Sequence, residues 1–151
     1  MEKPFSFFFF TTFLCIIISV ADSCTFTQGY SVIIGNDNIR DESVSVSCNS
    51  KDDHINGKAL KFNETMAWSF CESPSTRFTC KFDYPRWQYQ HFDVFNKNIK
   101  GECKEPNKER YRCTWSIRKD GFYFINRVNG RRDIKKYDWL TRPHSKRRGS
   151  P

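Results

Sequence analysis

The stretch Arg112-Cys113-Thr114-Trp115-Ser116-Ile117-Arg118-Lys119-Asp120-Gly121-Phe122-Tyr123-Phe124-Ile125 decides the fold class. Cys113, Trp115 and Ile117 fall on alternate positions, the period of a strand with one buried face. Asp120-Gly121 is a favoured two-residue hairpin turn, because such turns need positive φ, and Phe122 to Ile125 return along the first strand. The same alternation recurs upstream in Val44, Val46 and Cys48, in Leu60 and Phe62, in Met66, Trp68 and Phe70, in Phe78, Cys80 and Phe82, and in Phe92 with Val94. Tyr30 to Ile34 is a further apolar run, Tyr137 and Trp139 suit a last strand, and the polar Asn49–Lys58 stretch reads as a loop. No helical period or internal repeat interrupts the series. About eight short strands, with turn signals roughly every ten residues, predict an all-β chain folded as a small, disulfide-stapled antiparallel β-sandwich. Val44, Val46, Leu60, Phe62, Trp68, Phe70, Phe78, Phe82, Phe92, Val94, Trp115 and Ile117 would form its core.

Composition agrees with one secreted domain. The chain has 151 residues, 25 Lys and Arg against 17 Asp and Glu, and a formal charge of +8. Aromatic residues make up 17% of it, too many for a disordered chain despite a mean hydropathy of −0.70. Lys3 precedes an apolar run from Phe5 to Val20, which is short for the ~20 residues of a membrane span. Ser19-Val20-Ala21 then offers small residues where a signal peptidase reads, and Ala21-Asp22-Ser23 is nearly as good. The expected organisation is a signal peptide over 1–21, a sandwich domain over 22–142 and a basic, disordered tail over 143–151.

Cleavage removes Cys15 and leaves Cys24, Cys48, Cys71, Cys80, Cys103 and Cys113. An even number in a secreted chain predicts three disulfides, among 15 connectivities. Cys48 and Cys113 both face inward on alternating strands, which suggests a staple across the core. Cys80 then falls to Cys103, and the edge-facing Cys71 to Cys24. No CxxC or HxxxH spacing supports zinc.

Catalytic signals are sparse. His54 and His91 could serve as the acid–base pair of a ribonuclease, with Lys51 steadying phosphate, yet the sequence has no nuclease, GxSxG, HExxH or Gly-rich phosphate motif. The reading is therefore a non-enzyme without cofactor. Asn49, Ser50, Asp52, Asp53 and Asn56 offer oxygens for calcium but lack the regular spacing and closing glutamate of an EF-hand, so a solvated turn is expected and no metal site. Asn63-Glu64-Thr65 is an N-x-[ST] sequon and the expected glycosylation site. Eight cationic residues, Arg131, Arg132, Lys135, Lys136, Arg142, Lys146, Arg147 and Arg148, crowd the C-terminal end beside His144. They suit an anionic cell-wall or membrane surface, or simply solvation; secretion argues against nucleic acid.

The ordered motifs resemble the plant self-incompatibility S-protein family. Ser47-Cys48-Asn49-Ser50-Lys51-Asp52-Asp53, Trp68-Ser69-Phe70, Phe78-Thr79-Cys80, Phe92-Asp93-Val94-Phe95, Cys103, Cys113-Thr114-Trp115 and Asp120-Gly121-Phe122-Tyr123 follow in that family's order. Cys48, Cys80, Cys103 and Cys113 are similar to its four shared cysteines. Cys24 and Cys71 lie outside that set, and Ser47 stands where a histidine often precedes the first cysteine. The resemblance implies a secreted β-sandwich acting as a ligand, since the founding pistil proteins recognise incompatible pollen through a membrane receptor. The expected partner is thus a cell-surface receptor protein, bound by a monomer. Recognition is expected in loops on the rigid scaffold: Lys51, Asp52, Asp53 and His54 in Lys51–Asn56; Tyr84, Arg86 and Trp87 in Tyr84–Gln90; Lys104, Lys108 and Arg110 in Lys104–Arg110. A secreted cationic defence protein and a ribonuclease-like hydrolase are the alternative readings.

Overall fold

A computed structural model describes residues 24–85, 87–104, 110–128 and 130–143. Arg86, Lys108, the 1–21 segment and the tail from His144 lie outside the described residues. Ten strands run through them: β1 Gly29–Asn36, β2 Val44–Asn49, β3 His54–Leu60, β4 Thr65–Cys71, β5 Phe78–Tyr84, β6 Gln88–Phe95, β7 Arg110–Arg118, β8 Gly121–Asn126, β9 Arg132–Tyr137 and β10 Leu140–Thr141. One 3-10 turn, Lys100–Cys103, leads towards β7. The strands form two five-stranded sheets, ordered β4-β1-β7-β8-β9 and β10-β6-β5-β2-β3.

Alternation sets which face each strand buries. In β2 the pattern is strict, with Val44, Val46 and Cys48 buried and Ser45, Ser47 and Asn49 exposed. Trp115 of β7, Phe122 and Phe124 of β8, and Phe78 and Phe82 of β5 meet in the shared core. Phe82 lies 4.7 Å from Phe122 across the sheets, and the Trp115 indole donates to the Val94 carbonyl at 2.9 Å. A buried indole needs such an acceptor, so this bond fixes how the two sheets meet.

Several expectations need correction. Pairing is not wholly antiparallel, because β1 runs parallel to β7 from Gly29↔Arg110 to Asn36↔Ile117. His54–Leu60 is a strand and not part of a loop. It is an edge strand in which only Leu60 is buried and Ile55 partly so, with polar or small residues between them, so it lacks an apolar alternation to read. Phe62 is not core; it lies half-buried in the turn after β3, beneath the Arg40 guanidinium at 4.1 Å. Trp68 and Phe70 pack against the core only partly buried. The β7–β8 turn comprises Lys119 and Asp120, since Arg118 pairs with Gly121. Gly121 itself has φ +143, and a Cβ there would lie 2.3 Å from the Tyr137 carbonyl oxygen.

The disulfides join Cys24 to Cys71, Cys48 to Cys80 and Cys103 to Cys113. The expected Cys48–Cys113 and Cys80–Cys103 bonds are wrong. Cys48 and Cys113 do both face inward, but from different sheets. Cys48 lies directly opposite Cys80 on the neighbouring strand, Cα to Cα 4.1 Å, and the 3-10 turn brings Cys103 within 4.6 Å of Cys113. Inward direction constrains the face and not the neighbour, and disulfides need Cα atoms closer than about 7 Å.

Candidate functional site

The registers sort the loops to two ends of the sandwich. Gly29, Cys71 and Arg110 lie side by side at one end, where β1 and β7 begin and β4 finishes. In the second sheet Asn49, Thr79 and Asp93 mark the same end. All three disulfides lie at or near it. Cys71 closes β4, Cys48 and Cys80 are close to the ends of β2 and β5, and Cys103–Cys113 ties the approach to β7.

At this stapled end Ser50 shapes the β2–β3 turn. Its hydroxyl accepts from the amides of Asp52 at 3.3 Å and Asp53 at 2.9 Å, while its own amide donates to the Asp53 carbonyl at 2.8 Å. Lys51, Asp52, Asp53 and His54 are held exposed on this frame. Beside it lies the Glu72–Arg77 segment, which the sequence did not single out. Ser73 and Thr76 close that loop by side-chain hydrogen bonds at 2.8 and 2.9 Å. The turn and the loop line one small hollow of about 220 Å³ with Phe70 and Phe78, and a neighbouring hollow of about 300 Å³ lies between Pro74–Arg77 and Asn96–Asn98. These sit at or below the low end of small-molecule sites and are lined mainly by polar groups.

Asp93 organises the junction. It accepts from Arg77 at 2.9 Å, Thr79 at 2.8 Å and Asn96 at 3.0 Å. Burial pushes its carboxyl up, but hydrogen bonds from Asn96, Arg77 and Thr79 outweigh that and hold it below its usual value. Sequence reasoning missed Asp93 as an anchor because two of its three partners, Arg77 and Thr79, lie on a different stretch of chain and reach it only in the fold. Exposed Lys104 and half-buried Arg110 flank this end.

Tyr84 and Trp87 lie at the opposite end. Tyr84 packs 5.6 Å from Trp139, whose indole donates to the Arg118 carbonyl. Trp87 is 55% exposed with φ +72, and its carbonyl accepts from the Arg142 amide. The three expected recognition loops are therefore not one surface. Asn63 shares this unstapled end, exposed in a turn with φ +62. His54 and His91 stand on β3 and β6 with β2 and β5 between them, roughly 14 Å across three inter-strand spacings. That is too far to serve one reacting group as acid and base. Among the described residues, four of the C-terminal cations are engaged in ion pairs: Lys136 bonds Glu102 at 2.9 Å, Lys135 bonds Asp138 at 2.7 Å, Arg131 bonds Asp133, and Arg142 bonds Asp83.

A model of the plant self-incompatibility protein S1 family matches residues 31–139. The chain belongs to that family. Among its relatives, S-protein homolog 29 of Arabidopsis thaliana is 29% identical over 139 residues, covering 86% of this chain and 94% of that one. S-protein homolog 2 of the same plant is 29% identical over 97 residues, covering 63% and 59%. A solved structure of an SPH (self-incompatibility protein homologue), described as one of a widespread family of small, highly stable, secreted plant proteins, superposes with TM-score 0.56 at 17% identity. It covers 77% of this chain and 98% of its own. This likeness shows a shared fold. In this S1-family chain the matched region begins after Cys24, so the Cys24–Cys71 bond ties a residue outside it to β4 inside it.

Proposed function

We infer that this S1-family protein is a secreted ligand whose stapled end binds a cell-surface protein of plant cells. The observation that carries the reading is the coincidence of all three disulfides with the Lys51–His54 turn and the Lys104 and Arg110 flank. Cross-links there hold exposed charges in fixed relation, which lowers the ordering cost of binding. Small polar hollows suit contact with a protein surface better than enclosure of a metabolite. The unstapled end carries Asn63, so a glycan attached there would leave the binding end clear. Pollen rejection is one setting in which such a ligand acts; the mechanism requires only a receptor with matching charge and shape.

The test is saturation binding of labelled, oxidised protein to plant plasma-membrane preparations. Lys51→Glu combined with Lys104→Glu should lower affinity at least tenfold with circular dichroism unchanged, whereas Lys119→Glu at the opposite end should leave affinity alone. Equal binding by all three proteins would overturn the assignment. Salt-sensitive, unsaturable binding would favour the cationic defence reading instead.

A further inference from the structure

Four strands end the two sheets, and three are protected against pairing in ordinary ways. β3 carries Lys58, β9 carries four charged residues among six, and β10 has two residues. The fourth, β4, reads Thr65-Met66-Ala67-Trp68-Ser69-Phe70-Cys71, seven residues without a charge or a proline. It is paired on one side only, with β1.

The direction of its backbone groups follows from its flanks. The Asn36 amide donates to the Glu64 carbonyl, and the Glu72 amide donates to the Gln28 carbonyl. Residues at even positions from Glu64 to Glu72 therefore face β1, because each residue of an antiparallel strand turns both its groups the same way. Thr65, Ala67, Ser69 and Cys71 turn theirs outward. Lys58 caps the Thr65 carbonyl at 3.1 Å. Those of Ala67 and Ser69, mid-strand, have no bond on that side among the described residues.

We propose that β4 pairs antiparallel with β4 of a second copy of this chain, across a two-fold axis at Trp68. In that register Ala67 of each copy faces Ser69 of the other, so the outward donors and acceptors meet in hydrogen-bonded pairs. The same register sets Met66 against Phe70 and Trp68 against Trp68 on the inner face, continuing the core. Aromatic pairs at such positions stabilise a sheet. Charge agrees at both rims. Lys58 lies 4.0 Å from Glu64 beyond one end of β4, and Lys100 pairs with Glu72 beyond the other. The two-fold brings these acid–base couples together, so each rim offers both signs to its mate. Such an interface is small and works against two net charges of +8, so the association is weak and strengthens with salt. It replaces the expected monomer and does not depend on the receptor reading.

Analytical ultracentrifugation of oxidised protein recovered from a plant expression host tests this over a concentration series at low and high salt. The weight-average mass should climb from one chain towards two, and further at high salt. Ser69→Pro removes an outward amide without touching the β1 ladder and should abolish the climb. Ala67→Lys with Ser69→Lys, which sets like charges opposite each other, should abolish it too. Ala67→Lys with Ser69→Glu, which sets opposite charges together, should restore it. Matching near-ultraviolet circular dichroism checks that every variant folds. A constant single-chain mass in both salts overturns the proposal, as does a dimer indifferent to all three variants.

Discussion

Asp93 accepts hydrogen bonds from Arg77, Thr79 and Asn96, joining the Glu72–Arg77 loop to the end of β6. Its folded-state pKa is depressed, so its stabilisation is present above the unfolded value and vanishes as pH falls through the folded one. Melting of the wild type should accordingly fall as the pH drops below the unfolded carboxyl value of about 4, and the Asp93→Asn profile should be flatter there. Parallel profiles would show that the carboxylate contributes nothing specific. Asn36 illustrates the neutral counterpart. Wholly buried, it donates to the Ile39 and Leu60 carbonyls and accepts from the Ile39 amide, so every polar atom of its side chain is satisfied. Neither residue announces itself in the sequence: Asp93 stands between Phe92 and Val94 as an ordinary outward-facing polar residue, and Asn36 is one of the run Gly35-Asn36-Asp37-Asn38 that reads as a solvated turn.

The β7–β8 hairpin was legible because Cys113, Trp115 and Ile117 alternate and a glycine follows. Its turn was misplaced by one residue, since Asp-Gly suggests both turn positions whereas Gly121 opens the return strand. The glycine is required there for two reasons, its φ of +143 and the Tyr137 carbonyl pressed against its α-carbon. Gly121→Ala should cost roughly 1–3 kcal/mol from backbone strain and more from the contact, seen as a lower denaturant midpoint. An unchanged midpoint would mean that β9 yields easily. β3 escaped reading for the opposite reason: an edge strand that buries only Leu60 and part of Ile55 leaves no periodic trace. The partners of β1 were equally hidden, because its apolar run predicts burial without saying that β4 and β7 flank it. Of the expected recognition residues, those near Cys48 and Cys113 assemble at one end, while Tyr84 and Trp87 fall away because hairpins alternate between the two ends of a sandwich.

For the whole molecule, the placement of the cross-links sets a ranking. The bonds span 47, 32 and 10 positions. Chain entropy then assigns about 4 kcal/mol to Cys24–Cys71, slightly less to Cys48–Cys80 and under about 3 kcal/mol to Cys103–Cys113. Replacing both cysteines by alanine in the two buried pairs should therefore lower stability more for Cys48–Cys80 than for Cys103–Cys113, measured by urea unfolding; the reverse order would point to local packing as the larger effect. The parallel pairing of β1 with β7 carries a different consequence. Tyr30 waits for Tyr111 as its neighbour. As the ribosome releases the chain from its N-terminus, β1 is among the first strands to emerge, yet one side of it stays bare until the last third has been made. A premature stop codon anywhere before β7 would thus yield a chain with Val32 and Ile34 uncovered, a substrate for quality control and not a smaller working protein.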